Sequence, residues 1–471
     1  MSLPHEFLNA VKDLLGPKGW SEDAQRREEA ATPWRGAHRG HTPLIVYPAS
    51  TQEAASLVKL CAAHRVAITP QGGNTGLVDG GTPHGEVTIN LRRMTAIRNV
   101  DPINNSLTIE AGANLVAAQQ AAEAADRLFP LSLGSEGTAS IGGLISTNAG
   151  GVAVLRYGMM RDLILGLEVV LPNGEVWNGL SGLRKNNAGY DLKHLFAGAE
   201  GTLGLITAAT LKMFPSTLRA TAWISCDTPG DIVALLALMR RHVGDTVTSF
   251  EMIPTNAIAM VEAEQDAALD PSPSDWTWRV LCEVSLPRED IGRDLLETAL
   301  EAAFQAGLAK DAVIAENLSQ AATFWRVRES IPLSKRAYGT SINHDVAVPV
   351  SQIPAFLVQT EKAVTAISPT AEIVAFGHVG DGNLHYSACE PKDADMPRLA
   401  KHEEAITAAV HESAMAFGGS ISAEHGVGRL KRDELASVRG AATTEVMQAI
   451  KTALDPLGIM NPGRVVPPPA N

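Results

Sequence analysis

Cysteine is scarce in this chain, with four residues among 471. None of the four forms a C-x-x-C pair, so neither a disulfide framework nor a cysteine-based metal or redox motif is indicated. A chain of this length can bury two or three domain cores without covalent cross-links. We therefore expect a protein of a reducing compartment whose stability does not depend on disulfides.

Long apolar runs and an excess of positive charge are also missing. The best apolar segment, residues 163–171, is too short to span a bilayer and contains Glu168. The first residues include early acidic side chains and no basic region before an apolar run, unlike a secretory signal. With 39 Lys and Arg against 52 Asp and Glu, the net charge of −13 argues against nucleic acid or an anionic membrane as the main partner. These absences predict a soluble cytoplasmic protein.

Two common nucleotide-binding motifs are absent. No G-x-G-x-x-G links a first strand to a helix, and no G-x-x-x-x-G-K-[ST] is present, so neither a Rossmann site nor a P-loop is indicated. Three other glycine-rich stretches occur instead, at 71–81, 134–151 and 198–204. Each alone could be a tight turn. Together they favour backbone N–H groups that hold a pyrophosphate, without identifying the nucleotide.

The patterning predicts two folded regions with short flanks. A strand, a helix with apolar residues at helical spacing and a second strand precede the first glycine loop. From residue 216 onward, long helices alternate with strands, which is typical of α+β folds with antiparallel pairing. The expected division is an N-terminal helical segment (1–40), a nucleotide-binding domain (41–216), a second, α+β domain (217–425) and a C-terminal segment (426–471).

The strongest local motif is FGHVGDGNLHYS at 376–387. If Asp381-Gly382 forms a two-residue hairpin turn, His378 lies opposite His385, and facing imidazoles can share a cation. The segment ISAEHGVG adds Glu424 and His425. A carboxylate as third ligand would leave coordination positions open, as a catalytic metal requires. The alternative for the hairpin alone is a half-buried pair of histidines with other hydrogen-bond partners.

Long motifs place the chain beside a known family. Residues 70–81 (PQGGNTGLVDGG), 131–151 (LSLGSEGTASIGGLISTNAGG), 156–158 and 197–207 closely resemble the FAD-binding domain of flavoproteins of the vanillyl-alcohol oxidase type. Within that type, the chain resembles the D-lactate, glycolate and D-2-hydroxyglutarate dehydrogenases over residues 43–465. The resemblance implies an α+β fold, with a two-subdomain FAD-binding domain, an α+β cap domain, and a C-terminal segment that returns to the FAD domain.

The same resemblance implies a set of FAD-binding residues. Residues 72–76 would wrap the pyrophosphate, residues 134–148 would line the nucleotide and ribityl part, and residues near 200–206 would lie along the cofactor. Asn74 stands in the loop where a covalently flavinylated relative would carry histidine, which implies dissociable, non-covalent FAD. The full set is Pro70, Gly72, Gly73, Asn74, Thr75, Gly76, Leu77, Leu133, Gly134, Ser135, Thr138, Gly142, Gly143, Asn148, Glu200, Gly204, Ile206 and Asn383.

The resemblance also implies a metal and a base. Relatives with H-x-G-D-G-N-x-H and E-H-G bind zinc or a similar divalent ion, so His378, His385 and Glu424 are the expected ligands. His425 is the expected base for the substrate hydroxyl, whose pKa the metal lowers, while the hydride goes to flavin N5. The alternative for His425 is a packing role.

A 2-hydroxy acid also needs a carboxylate anchor, and Arg328 aligns with the substrate arginine of the resembled branch. Without the resemblance, a solvated helix arginine beside Glu329 is the preferred interpretation. Asn343 stands where close relatives often carry lysine, and Pro332 and Ser387 also differ from the D-2-hydroxyglutarate pattern. A pocket without that lysine, but with Asn343 and Ser387, favours a monocarboxylate such as D-lactate.

We therefore predict an FAD-dependent, metal-assisted dehydrogenase of D-2-hydroxy acids, forming a homodimer. Its electron acceptor would be an electron-transfer flavoprotein, a quinone or a cytochrome. The alternatives are a D-2-hydroxyglutarate dehydrogenase, the FAD subunit of a multi-subunit glycolate oxidase, a metal-dependent hydrolase and a non-catalytic flavin-binding protein.

Overall fold

The computed structural model describes residues 3–34, 39–273, 275–286, 289–394 and 399–468. The other residues of the predicted N-terminal, second-domain and C-terminal segments lie outside this described part. The chain divides into two units, each described below by itself. Unit 1 comprises residues 1–151, 158–216 and 424–471, and unit 2 comprises residues 152–157 and 217–423.

The α-helices of the described residues are as follows, in chain order. They are α1 (His5–Leu15), α2 (Ala24–Ala31), α3 (Thr51–His64), α4 (Leu115–Glu123), α5 (Ile141–Thr147), α6 (Val154–Tyr157), α7 (Met160–Leu163), α8 (Lys193–Phe196), α9 (Pro229–Val243), α10 (Thr255–Gln265), α11 (Glu289–Gln305), α12 (Leu318–Tyr338), α13 (Ile353–Ile367), α14 (Glu403–Ala416), α15 (Arg432–Arg439) and α16 (Ala441–Leu454).

The strands of the described residues run through both units. They are β1 (Trp20–Ser21), β2 (Ile45–Val46), β3 (Ile68–Gln71), β4 (Val87–Asn90), β5 (Ile97–Asp101), β6 (Ser106–Glu110), β7 (Arg127–Leu128), β8 (Ile164–Val170), β9 (Val176–Asn178), β10 (Leu205–Lys212), β11 (Phe214–Pro215), β12 (Leu218–Cys226), β13 (Val247–Pro254), β14 (Trp278–Leu286), β15 (Asp311–Ile314), β16 (Gly339–Ala347), β17 (Glu372–His378) and β18 (Asn383–Pro391).

Unit 1 is built on two main sheets. The first has the order β1-β2-β4-β3, with parallel pairing of β4 to both β2 and β3. The second is antiparallel, with the order β5-β6-β10-β8-β9. Helix α3 buries Ala54, Leu57, Val58 and Cys61, the spacing of one helix face, and contacts β8, whose seven residues are all buried. This packing fixes the strand–helix–strand opening that leads into the first glycine loop.

Both chain ends belong to unit 1. Trp20 of β1 pairs with Val46 of β2, so the described residues of the predicted N-terminal helical segment contribute a strand to the first sheet in addition to helices α1 and α2. At the other end, the Ile68 N–H donates to the Ile459 carbonyl at 2.8 Å. The C-terminal residues thereby extend the edge formed by β3.

Unit 2 is a seven-stranded sheet with helices on both faces. The strand order is β15-β12-β14-β13-β17-β18-β16, and the neighbouring strands pair antiparallel, as expected from the α+β patterning. The larger core lies on the face covered by α9, α11, α13 and α14. The smaller core includes Trp223, Phe324 and Phe376 and lies under α10 and α12. This second face carries the polar residues discussed below.

Two boundaries differ from those expected. Residues 152–157 were expected in the first domain, but α6 packs against β13 in unit 2, where the Ser249 hydroxyl donates to the Val152 carbonyl at 2.7 Å. Residues 424 and 425 were expected in the second domain, but they group with unit 1. The reason is local packing, since Val427 just beyond them is hydrogen-bonded to Glu200.

A membrane span was not expected. Within the ranges that the structure describes, no helix combines the length and apolarity needed to cross a bilayer.

Candidate active site

One face of the sheet in unit 2 carries a row of polar side chains beneath α12. In the pair formed by β16 and β18, Asn343 lies opposite Ser387, and Asp345 lies opposite His385. Residues two apart on a strand point to the same face, so these four side chains share it. His385 also lies opposite Phe376 of β17, which belongs to the core under α12.

Glu251 provides the buried negative charge of this face. It lies on β13 opposite His378 of β17 and is 0% exposed. Nδ1 of His378 lies 2.6 Å from Oε1, and Nε of Arg328 donates to Oε2 at 2.7 Å. Burial alone would raise the pKa of Glu251, but His378 and Arg328 beside it lower the pKa to about 2. The carboxylate is therefore ionised and orients both neighbours.

Arg328 reaches this carboxylate from α12. Its Nη2 lies 3.4 Å from Nε2 of His378, and its guanidinium carbon lies 4.9 Å from the centre of the Phe376 ring. The side chain is buried, so its orientation is set by these contacts rather than by solvent. In the described part of the chain, no group accepts a hydrogen bond from Nη1. Glu251 thus fixes the Nε edge of the guanidinium, while Nη1 can donate a hydrogen bond to a bound anion.

Lys335 lies two helical turns beyond Arg328 on α12 and is also buried. Its Nζ donates to Oδ1 of Asn343 at 2.8 Å and to Oγ of Ser387 at 2.5 Å. The Ser387 hydroxyl donates to the same Asn343 oxygen at 2.9 Å. The ammonium therefore stands beside Asn343, and the expectation that this place lacks a positive charge is wrong.

The expected pairing across the histidine hairpin is also wrong, by two residues. A two-residue turn at Asp381-Gly382 would place His378 opposite His385, but Phe376 occupies that place. Residues 379–382 connect the strands in a wider turn, in which two backbone N–H groups donate to the His378 carbonyl. The imidazoles of His378 and His385 are nevertheless neighbours, with ring centres 5.4 Å apart.

Asp345 is a second buried acid on this face. It offers a carboxylate oxygen within 4.8 Å of a ring nitrogen of His385. Its Oδ1 accepts from the side-chain amide of Asn383 at 2.8 Å, and its Oδ2 accepts from the Ala423 N–H at 3.1 Å. Asn383, expected to bind the cofactor, therefore orients Asp345, and its cofactor role stays a prediction.

Glu424 and His425 begin the last part of unit 1. A carboxylate oxygen of Glu424 and a ring nitrogen of His425 lie within 4.8 Å of each other. Just beyond them, Glu200 accepts from the N–H of Val427 at 2.8 Å and from the N–H of Gly428 at 2.9 Å. Burial raises the pKa of Glu200, whereas these backbone bonds lower it in part. Glu200, expected beside the cofactor, is used to hold this segment.

The first two glycine stretches lie against each other in unit 1. A Cβ on Gly72 would lie 1.8 Å from Oγ of Ser140, and a Cβ on Gly73 would lie 1.9 Å from the Thr138 carbonyl oxygen. Only glycine permits this approach of the two backbones. The structure thus brings together two stretches that sequence analysis selected separately.

The first glycine loop also presents a run of unpaired donors. Among the described residues, none accepts a hydrogen bond from the backbone N–H groups of residues 72–76. Asn74 has a φ of +53°, a left-handed backbone conformation of the kind that occurs in anion-binding loops. A Cβ on Gly76 or on Gly134 would meet nothing within 4 Å. Unpaired amides beside open space are what a pyrophosphate site requires.

The remaining predicted cofactor residues lie in or beside these stretches, and their roles stay predictions. Asn148 ends α5 with a φ of +51°, and its side chain accepts from the Arg161 N–H at 2.8 Å. Gly204 packs in the core, where a Cβ would lie 2.7 Å from Cγ1 of Val169. The others are Pro70, Thr75, Leu77, Leu133, Ser135, Gly142, Gly143 and Ile206.

Glu251, Lys335 and Asp345 were not among the residues predicted from the sequence. A signal existed for Glu251, because a lone acid within the otherwise apolar and hydroxyl-bearing strand VTSFEMIP is seldom buried without a partner. Lys335 carried a weaker signal, its spacing of seven residues from Arg328 on one helix. Asp345 alternates with Asn343 along β16, which places both on one face.

Two family models match the chain. A model described as the C-terminal domain of FAD linked oxidases matches residues 216–465, and a model described as an FAD binding domain matches residues 42–179.

Several curated proteins are similar over nearly the whole chain. The mitochondrial D-2-hydroxyglutarate dehydrogenase of Arabidopsis thaliana is 36% identical over 99% of this chain and 82% of its own length. The D-2-hydroxyglutarate dehydrogenase of Stutzerimonas stutzeri is 33% identical over 98% of both chains. A D-2-hydroxyglutarate–pyruvate transhydrogenase of Saccharomyces cerevisiae is 31% identical over 94% of this chain and 91% of its own length.

Solved structures support the fold. p-Cresol methylhydroxylase with substrate bound has a TM-score of 0.77 at 17% identity, covering 98% of both chains. An alkyldihydroxyacetonephosphate synthase has a TM-score of 0.74 at 17% identity, covering 98% of this chain and 85% of the other. The expected α+β fold of the vanillyl-alcohol oxidase type is confirmed.

Replacing Gly73 with alanine should reduce FAD retention. The added Cβ would meet the Thr138 carbonyl at 1.9 Å, so one of the two glycine stretches must move. Flavin absorbance relative to protein absorbance after purification measures the loss. Gly230→Ala is the control, since its Cβ would make only an ordinary 3.5 Å contact in α9. Full FAD content in Gly73→Ala would show that the contact does not shape the site.

Replacing Glu251 with glutamine should lower the free energy of unfolding by about 3–5 kcal/mol, because the buried Arg328 loses its counter-charge. The pKa of Glu251 is lowered from 4.5 to about 2, so the ionised carboxylate stabilises the wild-type fold fully above about pH 4.5. The difference in unfolding free energy between wild type and variant should therefore be largest above about pH 4.5 and should shrink as the pH falls toward 2. Urea unfolding across that range measures it.

Glu283→Gln is the matched control for Glu251→Gln. Glu283 is buried in the same sheet, but burial raises its pKa, so its neutral form costs less. Equal losses of stability in the two variants would contradict the assigned role of Glu251.

Proposed function

Since the chain belongs to the family of FAD-linked oxidases, we propose that it oxidises a D-2-hydroxy acid to the 2-oxo acid. The family models and the curated relatives confirm the predicted FAD-linked oxidoreductase. The observation that carries the proposal is the pair of buried basic side chains, Arg328 and His378, held by one ionised Glu251. A fixed guanidinium beside an imidazole suits a substrate with a carboxylate next to a hydroxyl.

The residues of unit 1 fit FAD. The unpaired N–H groups of residues 72–76 would hold the pyrophosphate, and Asn74 in that loop offers no side-chain nucleophile of the histidine type for a covalent link. When bound, the flavin supplies the acceptor for the hydride. The protein's own task is then to present the substrate carbon in a fixed orientation.

Arg328 is the proposed anchor of the substrate carboxylate. Its Nε is occupied by Glu251, which leaves Nη1 for the substrate while the guanidinium plane stays fixed. Because the orientation is set before binding, little side-chain entropy is lost on binding. The anchor determines which bond of the substrate faces the flavin.

The donor chemistry fits a divalent metal, with His378, His385 and Glu424 as proposed ligands. Nδ1 of His378 lies 2.6 Å from the Glu251 carboxylate, and a carboxylate partner of this kind is usual for metal-bound histidines. Asp345 adds a carboxylate beside His385. When bound, the metal, expected to be zinc, would polarise the substrate hydroxyl.

Glu424 is the third proposed ligand on the strength of the E-H-G segment. The neighbouring His425 is the proposed acceptor of the hydroxyl proton, the role predicted from the E-H-G segment.

A monocarboxylate and a dicarboxylate are the two candidate substrate classes, and they differ in the side chain of the hydroxy acid. A D-lactate-like monocarboxylate was favoured because Asn343 is neutral, but Lys335 places an ammonium 2.8 Å from Asn343. The relatives are named for D-2-hydroxyglutarate. We therefore place a D-2-hydroxyglutarate-like dicarboxylate first and D-lactate second. The electron acceptor and a homodimeric assembly stay predictions.

A D-2-hydroxy acid should bleach the flavin of the purified holoprotein under anaerobic conditions, and the L enantiomer should not. The fixed Arg328 and a single base allow only one face of the hydroxyl-bearing carbon to approach the flavin. Stopped-flow absorbance near the flavin maximum measures this, with dithionite as the control for a reducible flavin. If dithionite bleaches the flavin but no D-2-hydroxy acid does, the protein is a non-catalytic flavoprotein.

His378→Ala and His385→Ala should each lower the bound-metal content and the rate of flavin reduction while leaving FAD bound, because the pyrophosphate loop lies in unit 1. Mutation of residues that hydrogen-bond to metal ligands commonly lowers metal affinity or activity about 10- to 100-fold, and loss of a ligand itself should lower them at least as much. Elemental analysis and stopped-flow rates measure both effects. The exposed His242 provides the control variant His242→Ala. Undiminished turnover after complete chelation would refute the metal.

A further inference from the structure

We infer that Asn461 positions the pyrophosphate loop of the FAD site, so that the C-terminal turn formed by residues 461–464 sets the affinity for the cofactor. This inference deepens the proposed function, because it rests on residues 72–76 as the pyrophosphate-binding loop. The C-terminal segment was expected to return to the FAD domain, but no residue in it was predicted to act on the cofactor.

The first support is a side-chain bridge between two glycine stretches. Nδ2 of Asn461 donates to the Gly80 carbonyl at 3.0 Å and to the Glu200 carbonyl at 2.6 Å. Gly80 belongs to the first stretch (71–81), which contains the pyrophosphate loop, and Glu200 belongs to the third (198–204). One buried amide therefore joins two segments that lie far apart in the chain.

The second support is that this bridge completes a closed set of contacts. The Glu200 N–H donates to the Ser146 carbonyl at 2.8 Å, and the Gly198 N–H donates to the Ile145 carbonyl at 3.0 Å. Both acceptors lie in α5, within the second glycine stretch (134–151). The first two stretches contact each other directly, as described above. Asn461 thus supplies the remaining link, from the third stretch back to the first.

The third support is the anchoring of the turn on both sides of the pyrophosphate loop. The Asn461 N–H donates to the carbonyl of Ile68 at 2.8 Å, in the strand β3 that leads into the loop. Arg464 is 1% exposed, and its Nη1 donates to Oε1 of Glu86 at 2.7 Å, while its Nη2 donates to the Thr82 carbonyl. The turn therefore holds the segments before and after the loop at a fixed separation.

The chemistry of the bridge requires the residue type that is present. A primary amide carries two N–H donors on one nitrogen, the number that two carbonyl oxygens need. Asn461 also has a φ of +42°, a left-handed conformation that asparagine adopts more readily than most side chains. Without the amide, both carbonyl oxygens lose this donor, and the two glycine stretches lose their common position.

The test compares the dissociation constants of FAD for wild type and Asn461→Ala. The full-length apoprotein is titrated with FAD, and binding is followed by flavin fluorescence. We expect the constant to rise about 10- to 100-fold, the scale set by the loss of two buried hydrogen bonds.

Asn105→Ala is the matched control for Asn461→Ala. Asn105 also has a left-handed backbone, with a φ of +50°, and its Oδ1 accepts from Nε of Arg127 at 2.7 Å. The variant therefore loses a side-chain hydrogen bond outside the three glycine stretches, and its FAD dissociation constant should stay within about threefold of wild type.

ADP separates an effect on the pyrophosphate loop from a general loss of stability, because it carries the pyrophosphate without the flavin. Calorimetric titration of the apoprotein should show that Asn461→Ala weakens ADP binding by the same factor as FAD binding. A purely structural role would lower the thermal midpoint of the apoprotein and leave both affinities of the folded protein unchanged. That result, or a loss for FAD without a loss for ADP, would overturn the inference.

A second variant decides the point if Asn461→Ala does not fold. The hydroxyl in Asn461→Ser has one donor and can serve only one of the two carbonyls, so an intermediate rise in the FAD dissociation constant is expected. An unchanged constant in Asn461→Ser, or an equal rise in Asn105→Ala, would contradict the role of Asn461. A protein whose FAD affinity depends on Asn461 but which oxidises no D-2-hydroxy acid would refute the proposed function alone.

Discussion

The constraint on which the candidate site depends is the desolvated carboxylate of Glu251. A fully buried acid stays ionised only if opposite charge and hydrogen-bond donors compensate for its lost hydration. Arg328 and His378 provide that compensation, one from a helix and one from a neighbouring strand. Neither can turn away without leaving an uncompensated charge, so the helix, the strands and the two functional side chains hold one another in place.

The rest of the polar face is organised in the same manner, by pairs that fix each other. Asp345 is held by Asn383 and by the backbone of Ala423, and Lys335 is held by Asn343 and Ser387. Such second contacts give a catalytic or binding group its direction before a ligand arrives. In unit 1, Glu200 plays the equivalent role for the segment that begins with Glu424 and His425.

Sequence reasoning identified the parts of the site whose residues are close together in the chain. The glycine stretches and the two histidines of 376–387 were recognised because their spacing itself carries chemical meaning. Glu251 was not, since its partners are 77 and 127 residues away and only the strand order brings them together. The hairpin register was wrong because turn residues alone do not determine whether two or four residues connect the strands.

The proposed function depends most on Arg328, which Glu251 orients to hold the substrate carboxylate next to the hydroxyl. A crystal structure of the holoprotein with bound 2-oxoglutarate tests this most directly. We expect Nε of Arg328 to remain on Glu251 while Nη1 donates to a carboxylate of the ligand. A ligand that does not contact Arg328, or that draws Arg328 away from Glu251, would contradict the proposed anchor.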